Sequence, residues 1–411
     1  MTERPSSRWV SIKGNIGVML LSSGLWNIAG AMTFPFYSLY VLELGGRHAD
    51  IGLISALGAV TRIVPTLFGG YLADALGRKK ILYSMSFLLA ANELLLAFAP
   101  HHRWLYLIVV VQALAGGLRD PSFRSIIADS TNPDNRALSM SLFQVVPPLF
   151  GLLPPYAMGR FMDSRGIVVA MRYAYTFSFL MATVASFLRY RYIEETLTEG
   201  KGVVKDPRTA VREVLRGFRE TFRALPSQLW LFLSIDFIFT FAWALTEPYF
   251  VTYAMEEAML TGAQWGLVTM GATLIRTTVK PPAALVSDKY GRIKFILVCM
   301  FLWPAGFLLF AKSGGFQALL IARLLIAFAG SLGDPAWEAL FVDYQPKEHR
   351  GRFSAIASVS WSLIWGAGNV VGGLIYQDIS KRMIFDLSAG LLIIGAVLAL
   401  IKIREPEHRE T

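Results

Sequence analysis

Cysteine is nearly missing: Cys299 is the one cysteine in 411 residues. No disulfide framework can be built from it, and a small apolar place inside a helix is its ordinary role. Histidine is scarce, and His48, His101, His102, His349 and His408 all fall outside the long apolar runs. That leaves no intramembrane His or Cys cluster to hold a metal. No G-x-x-x-x-G-K-[ST] phosphate loop occurs, so the chain carries no ATPase of its own. Charge is thin as well. Asp, Glu, Lys and Arg make up 17% of residues, whereas a soluble domain carries about 25%, too few to coat a soluble globule of this size. The roughly ten-residue alternation of a membrane barrel is also absent.

What is present is long apolar sequence, with 54% of residues hydrophobic. A bilayer core of about 30 Å needs about 20 helical residues, and twelve stretches are long enough. They run Ile16–Glu43, Ile51–Ala73, Ile81–Ala99, Trp104–Ala128, Ala137–Phe161 and Val168–Tyr190, then Leu229–Tyr253, Trp265–Val286, Phe295–Ala311, Phe316–Phe341, Phe353–Tyr376 and Met383–Ile401. Lipid offers no partner for open backbone groups, so these stretches are expected to be helices. The expected fold class is an all-α membrane protein with twelve transmembrane helices. The first stretch reads as a retained span, since no small-residue cleavage site follows a short apolar core.

The formal net charge is +10, and its placement follows topology. With the N-terminus cytoplasmic, Arg4, Arg8, Lys13, Arg78, Lys79, Lys80 and Arg136 all fall on the inner side, as do the central loop and the tail. This is the positive-inside pattern with both termini cytoplasmic, and it gives no reason to expect a nucleic-acid partner. Short loops and no targeting signal point to the plasma (inner) membrane of a prokaryote.

A shift of 214 residues lays one half of the chain on the other. Glu43 falls on Glu257, Gly52 on Gly266, Arg62 on Arg276, and Asp74, Gly77, Arg78 and Lys80 fall on Asp288, Gly291, Arg292 and Lys294. Gly116, Asp120, Pro121, Asp129, Arg136 and Gly159 fall on Gly330, Asp334, Pro335, Asp343, Arg350 and Gly373. Many matches are charged residues, glycines or prolines, which shared hydrophobicity does not explain. Internal symmetry of this kind marks many transporter folds. The expected organisation is a six-helix bundle over residues 1–190, a cytoplasmic linker over 191–225 and a second six-helix bundle over 226–411. In the linker, Arg208, Arg212, Arg216, Arg219 and Arg223 keep helical spacing beside Val211, Val214, Leu215, Phe218 and Phe222. This reads as a basic amphipathic helix on the anionic inner leaflet.

The segment from Gly70 through Asp74, Gly77 and Arg78 to Lys80 resembles the signature G-x-x-x-D-x-x-G-R-[RK] of the major facilitator superfamily. A degenerate copy keeps Asp288, Lys289, Gly291 and Arg292. Gly77 and Gly291 permit the tight turn between two spans. The resemblance covers nearly the whole chain and looks closest to the drug:proton antiporter branch. It implies two pseudo-symmetric six-helix bundles that rock about a midplane site. It also implies that Asp74 acts as a latch near the start of the eleventh helix, and that Arg78 pairs with an acid on the fourth, here Asp129, with Asp343 as the counterpart in the second half. Two departures are plain. Gln112 stands where many proton antiporters of the family carry an arginine four residues before Gly116, and the run Gly151 to Gly159 matches the family's helix 5 antiporter motif only in part.

The family's cavity is lined by helices 1, 4, 7 and 10, with help from 2, 5, 8 and 11. On the seventh stretch Asp236, Thr240, Trp243 and Glu247 form one polar-aromatic stripe, with Trp26 the aromatic candidate on the first. An acid inside a spanning helix costs several kcal/mol unless it is paired, protonated or hydrated, so Asp236 and Glu247 are candidates to carry a proton. Gln144 is a further polar candidate on the fifth stretch. Arg62 and Arg276, matched across the repeat near mid-membrane, are expected to face one cavity from opposite sides and there suit a carboxylate or phosphate, or else each pairs with an internal acid. Arg124 and Glu338 occupy matching positions with opposite charge, and are expected to meet when the cytoplasmic side closes. The alternative is separate pairing, for example of Asp120 with Arg124.

The expected function is secondary active transport by alternating access, with proton-coupled efflux of small amphipathic or cationic organic compounds. The alternative is transport of an organic anion or metabolite through Arg62 and Arg276; a non-transporting receptor or a channel is more remote, and an enzyme is not expected. No cofactor or metal is expected beyond a proton gradient. The partners are a small solute and the lipid bilayer, and the chain is expected to act as a monomer.

Overall fold

The structure is a computed structural model that describes residues 14–131, 136–197, 227–345 and 350–403. The arginine-rich stripe from Arg208 to Arg223 lies outside the described residues. Regular structure among the described residues is helical throughout, and nine helical stretches are long and apolar enough to cross a membrane.

Three of the expected stretches are broken. The first is α1 (Asn15–Thr33), a 3-10 turn (Phe34–Phe36) and α2 (Tyr37–Glu43). The seventh repeats this as α9 (Ser227–Thr246), a 3-10 turn (Glu247–Tyr249) and α10 (Phe250–Glu256). The fifth is α6 (Arg136–Phe150) and α7 (Pro154–Arg165). Proline lacks the N–H that would continue the backbone ladder and suits the first turn of a new helix. Pro35, Pro248 and the pair Pro154–Pro155 stand at these three breaks.

The other helices mostly run one to a few residues past the apolar limits read from sequence at one or both ends, while the one from Arg78 to Ala97 stops two residues short of its expected end. They are α3 (His48–Leu76), α4 (Arg78–Ala97), α5 (Arg103–Asp129), α8 (Ile167–Tyr192), α11 (Gly262–Tyr290), α12 (Arg292–Lys312), α13 (Phe316–Asp343), α14 (Arg350–Asp378) and α15 (Met383–Lys402). Gly77 between α3 and α4 has φ 97°, and Gly291 between α11 and α12 has φ 102°. A residue with a Cβ is strained there, so each helix reverses over a single glycine.

Helices before Tyr192 pack mainly on one another: α3 on α5, α4 on α5 and α8, α1 on α6 and α8. Those after Ser227 do the same: α12 on α13 and α15, α11 on α13, α9 on α14 and α15. Two seams join the groups, α3 against α14 and α7 against α11. Both are seams of backbone on backbone. A Cβ on Gly159 would clash with the Gly262 carbonyl oxygen, and one on Gly52 with that of Asn369. Their repeat partners Gly373 and Gly266 lie in the opposite seams, against His48–Ala49 and Pro155. The repeat therefore carries a packing device as well as a motif, since small residues let membrane helices approach closely.

The seams are pinned at the end that carries Gly45. Ser38 Oγ donates to the Pro248 carbonyl at 2.6 Å, Trp265 Nε1 donates to the Pro35 carbonyl at 3.0 Å, and the Gly262 amide donates to Asp163 at 2.7 Å. The His48 ring meets Glu256 of the other group at 2.8 Å, and within the C-terminal group Tyr376 Oη donates to the same Glu256 at 3.2 Å while Lys381 reaches Glu256 at 3.0 Å and Glu257 at 2.9 Å. Burial works against the Lys381 ammonium, but its hydrogen bonds to Glu257 and Glu256 outweigh this and hold its pKa above the usual lysine value.

Candidate functional site: two adjoining cavities

A cavity of about 520 Å³ lies among α9, α11, α12, α13 and α14. Asp236 and Thr240 of α9 face it, with Asp334 from α13 and Arg276 and Lys280 from α11. Its walls are aromatic: Trp243, Trp303, Trp337 and Trp365. Asp236 is 9% exposed. Trp337 Nε1 donates to one of its carboxylate oxygens at 2.6 Å, and Trp361 Nε1 donates to the other. Among the described residues it forms no ion pair. The carboxyl is thus held by two neutral donors, placed by α13 and α14.

A second cavity, of about 590 Å³, lies between the two groups beneath the pinned end. The N-terminal group supplies neutral side chains, among them Trp26, Asn27, Tyr37 and Ser55. The charged lining comes from the C-terminal group: Glu247, Arg276 and Arg323. The Arg323 guanidinium lies 4.1 Å from the centre of the Phe250 ring, and Arg119 sits 5.6 Å from the Trp26 ring. The charges that act on Glu247 are those of Arg323 and Arg276. Trp243 and Arg276 line both cavities, so the two adjoin. The stripe of Asp236, Thr240, Trp243 and Glu247 read from sequence is therefore brought to cavity walls, as are Trp26 and Arg276.

Arg62 is placed differently. It pairs with Asp120, which also takes a 3.0 Å contact from Arg119, and it lines neither cavity. The expectation that Arg62 and Arg276 face one cavity together is not met, because Asp120 is within reach of Arg62 while Asp334 forms no ion pair with Arg276. Gln144 is exposed and lines neither cavity. Glu338 reaches Lys280 at 3.7 Å. Arg124 is exposed and pairs with neither Glu338 nor Asp120; the acid one turn away is taken by Arg62.

At the Gly77 end the two signature loops form matching clusters. Arg78 bonds Asp74 at 3.1 Å and also Asp129; Arg292 bonds Asp288 at 2.8 Å and also Asp343. Gly70 packs near Pro121. Asp74 is exposed, and the side chains at the start of α14 that its latch role involves lie outside the described residues.

Arg323 and Asp334 are the site residues that sequence reading missed. A lone charge within the apolar run Leu319 to Ile326 was signal enough for Arg323, and Asp334 stood in the repeat as the match of Asp120. Arg189 was also missed. It is 2% exposed and donates to Ser22 at 3.0 Å and Ser86 at 2.9 Å, a structural tie among α1, α4 and α8.

The Major Facilitator Superfamily model matches residues 19–259 and 232–411. An uncharacterised MFS-type transporter of Methanocaldococcus jannaschii is 21% identical over 395 residues, covering 95% of this chain and 99% of that protein. The quinolone resistance protein NorA of Staphylococcus aureus is 25% identical over 161 residues, covering 38% of this chain and 40% of that one. Among solved structures, the inward-open xylose transporter XylE of E. coli superposes with a TM-score of 0.71 at 15% identity, covering 95% of each chain. With the family model spanning nearly all of the sequence, the chain is a membrane-embedded, non-enzymatic carrier of small solutes and belongs to the major facilitator superfamily.

Proposed function

We propose that the protein exports a small amphipathic organic compound in exchange for protons, by alternating access across twelve spans with both termini cytoplasmic. α5, α11 and the pair α6–α7 complete the count. They fall short on apolar length because α5 and α11 carry charge, such as Arg119, Asp120, Arg276 and Lys280, and because α6–α7 is broken. The basic Gly77 end is the cytoplasmic one by the positive-inside rule. The Gly45 end, pinned across both seams, is then the outer end, and the state is closed to the outside.

The observation that carries the coupling is Asp236, a buried carboxyl on the cavity wall held by two indole N–H groups, with no cation partner among the described residues. A proton is the smallest cation such a group can take up and give back, and binding it removes the buried charge. When the cavity faces the other side, its hydration changes and with it the cost of the charge. That difference between states lets a proton gradient bias the cycle. The tryptophan walls supply broad apolar contact suited to flat or lipophilic bodies. The organic-anion reading loses Arg62 to its ion pair but keeps Arg276.

The test is solute-triggered proton movement in proteoliposomes, recorded with an internal pH dye against a panel of lipophilic cations and organic anions. Coupled export predicts movement that Asp236→Asn abolishes while solute binding persists. Proton movement unchanged in Asp236→Asn would remove this residue from the coupling role.

A further inference from the structure

The internal repeat carries one Arg and Asp position twice, paired in one copy and not in the other. In the N-terminal group Arg62 is tied to Asp120. At the matching positions of the C-terminal group, Arg276 and Asp334 form no ion pair. Arg276 instead faces both cavities. A second guanidinium joins it on the wall of the inter-group cavity: Arg323, whose repeat position is occupied by Val109. Arg323 makes no ion pair with Glu247, and its Nη1 is buried without a hydrogen-bond partner among the described residues. Buried donors are nearly always satisfied, and leaving one bare costs about 1–3 kcal/mol, more when charged. Two guanidiniums and one carboxylate thus line one cavity, with no ion pair within contact distance among the described residues, beside the Trp243 and Trp26 faces.

We infer that Arg276 and Arg323 form an anion seat that holds a carboxylate, or a like oxyanion, on the transported compound. This rests on the reading of the cavities as the transport site and names the charge that the compound carries. The guanidinium fork matches the two oxygens of a carboxylate, and the aromatic body of the compound lies along Trp243. Glu247 opposes the seat from the 3-10 turn between α9 and α10. It makes the empty site less cationic and discourages a permanently bound inorganic anion. A compound that also carries an amine can place it toward Asp236, because Trp243 and Arg276 border both cavities.

The test is equilibrium dialysis of the detergent-purified full-length protein against 1-naphthoate and 1-naphthamide, which share shape and differ in charge. The wild type is expected to bind the carboxylate about tenfold more tightly, corresponding to about 1.4 kcal/mol. Arg276→Gln and Arg323→Gln are each expected to bring the two probes within about twofold, and Arg323→Lys to retain part of the preference, since it keeps the charge and loses the fork. Retained naphthamide binding shows that a variant is folded. Equal binding of the two probes by the wild type, a preference that survives both Gln variants, or no binding of either probe overturns the seat. Dialysis reads binding without flux. Loss of solute-triggered proton movement therefore bears on the coupling reading alone, and loss of charge preference on the seat alone.

Discussion

Asp120 holds the guanidiniums of Arg62 and Arg119 together inside the N-terminal group. Removing one partner of such a pair leaves an uncompensated charge at membrane depth, about 2.5–3.5 kcal/mol on insertion scales. Removing both partners costs less. Asp120→Asn is accordingly expected to lower the thermal midpoint of the purified protein more than the double variant Arg62→Gln/Asp120→Asn does. A double variant that is the less stable of the two would assign Arg62 some role other than this pairing. The same residues show how far the sequence could be read. The repeat picked out Arg62 and Arg276 as a matched pair, and placing both in one cavity was the natural extension. It failed because repeat symmetry fixes backbone positions, while the partner each side chain finds depends on rotamer and neighbours. Asp236 was legible for a different reason: an acid inside an apolar run stands out whatever its neighbours are. Its two tryptophan donors come from α13 and α14, 101 and 125 residues away, and no local pattern announces them.

Long apolar helices were legible because length and composition alone decide whether a segment can span. The breaks were not. α3 carries Pro65, α11 carries Pro281 and Pro282, and α13 carries Pro335, all without interruption, so a proline in the sequence does not say which helix stops. At Pro35 and Pro248 the interruption sits beside the other group, where Trp265 and Ser38 take up the carbonyls of these two prolines. Tertiary partners reward those breaks. The glycine seams make a sharper prediction. A methyl on Gly159 has no room against the Gly262 carbonyl, so Gly159→Ala is expected to push α7 from α11 and loosen the Gly45 end. In membrane vesicles carrying Ser38→Cys, labelling by an impermeant thiol reagent is expected to speed up severalfold. An unchanged labelling rate would mean that the seam yields elsewhere. Glu256→Gln is expected to act in the same direction. It removes the charge on which His48, Tyr376 and Lys381 converge, and hydrogen bonds to charged groups contribute about 1.5–3 kcal/mol each. Of these partners only His48 belongs to the other group, so loss of its contact is expected to shift the ratio of closed to open about tenfold or more. Lys381, which supports Glu256 from within the C-terminal group, does not switch this contact near neutral pH. With its pKa raised, its contribution is full below the usual lysine value and is lost only as pH climbs through the raised one.

Across the whole molecule, charge is distributed unevenly between two groups of helices that share one backbone pattern. The N-terminal group lines the inter-group cavity with neutral and aromatic side chains, and the C-terminal group supplies Glu247, Arg276 and Arg323 there and Asp236 and Asp334 next door. On the proposed mechanism, recognition and coupling are concentrated in one group, and the other acts as the wall it moves against. This division requires that the state of Asp236 bias the rocking of the groups as a whole. The most direct measurement is pulsed electron resonance on spin labels at two inter-group pairs in a Cys299→Ala background, one joining positions 124 and 338 near the Gly77 end, the other joining 101 and 381 near the Gly45 end. On acidification the account predicts that the two distances change in opposite directions, and that Asp236→Asn holds both at one value across the same pH range. Two distances that move together, or an Asp236→Asn protein that still responds like the wild type, would contradict proton-driven alternating access through this carboxyl.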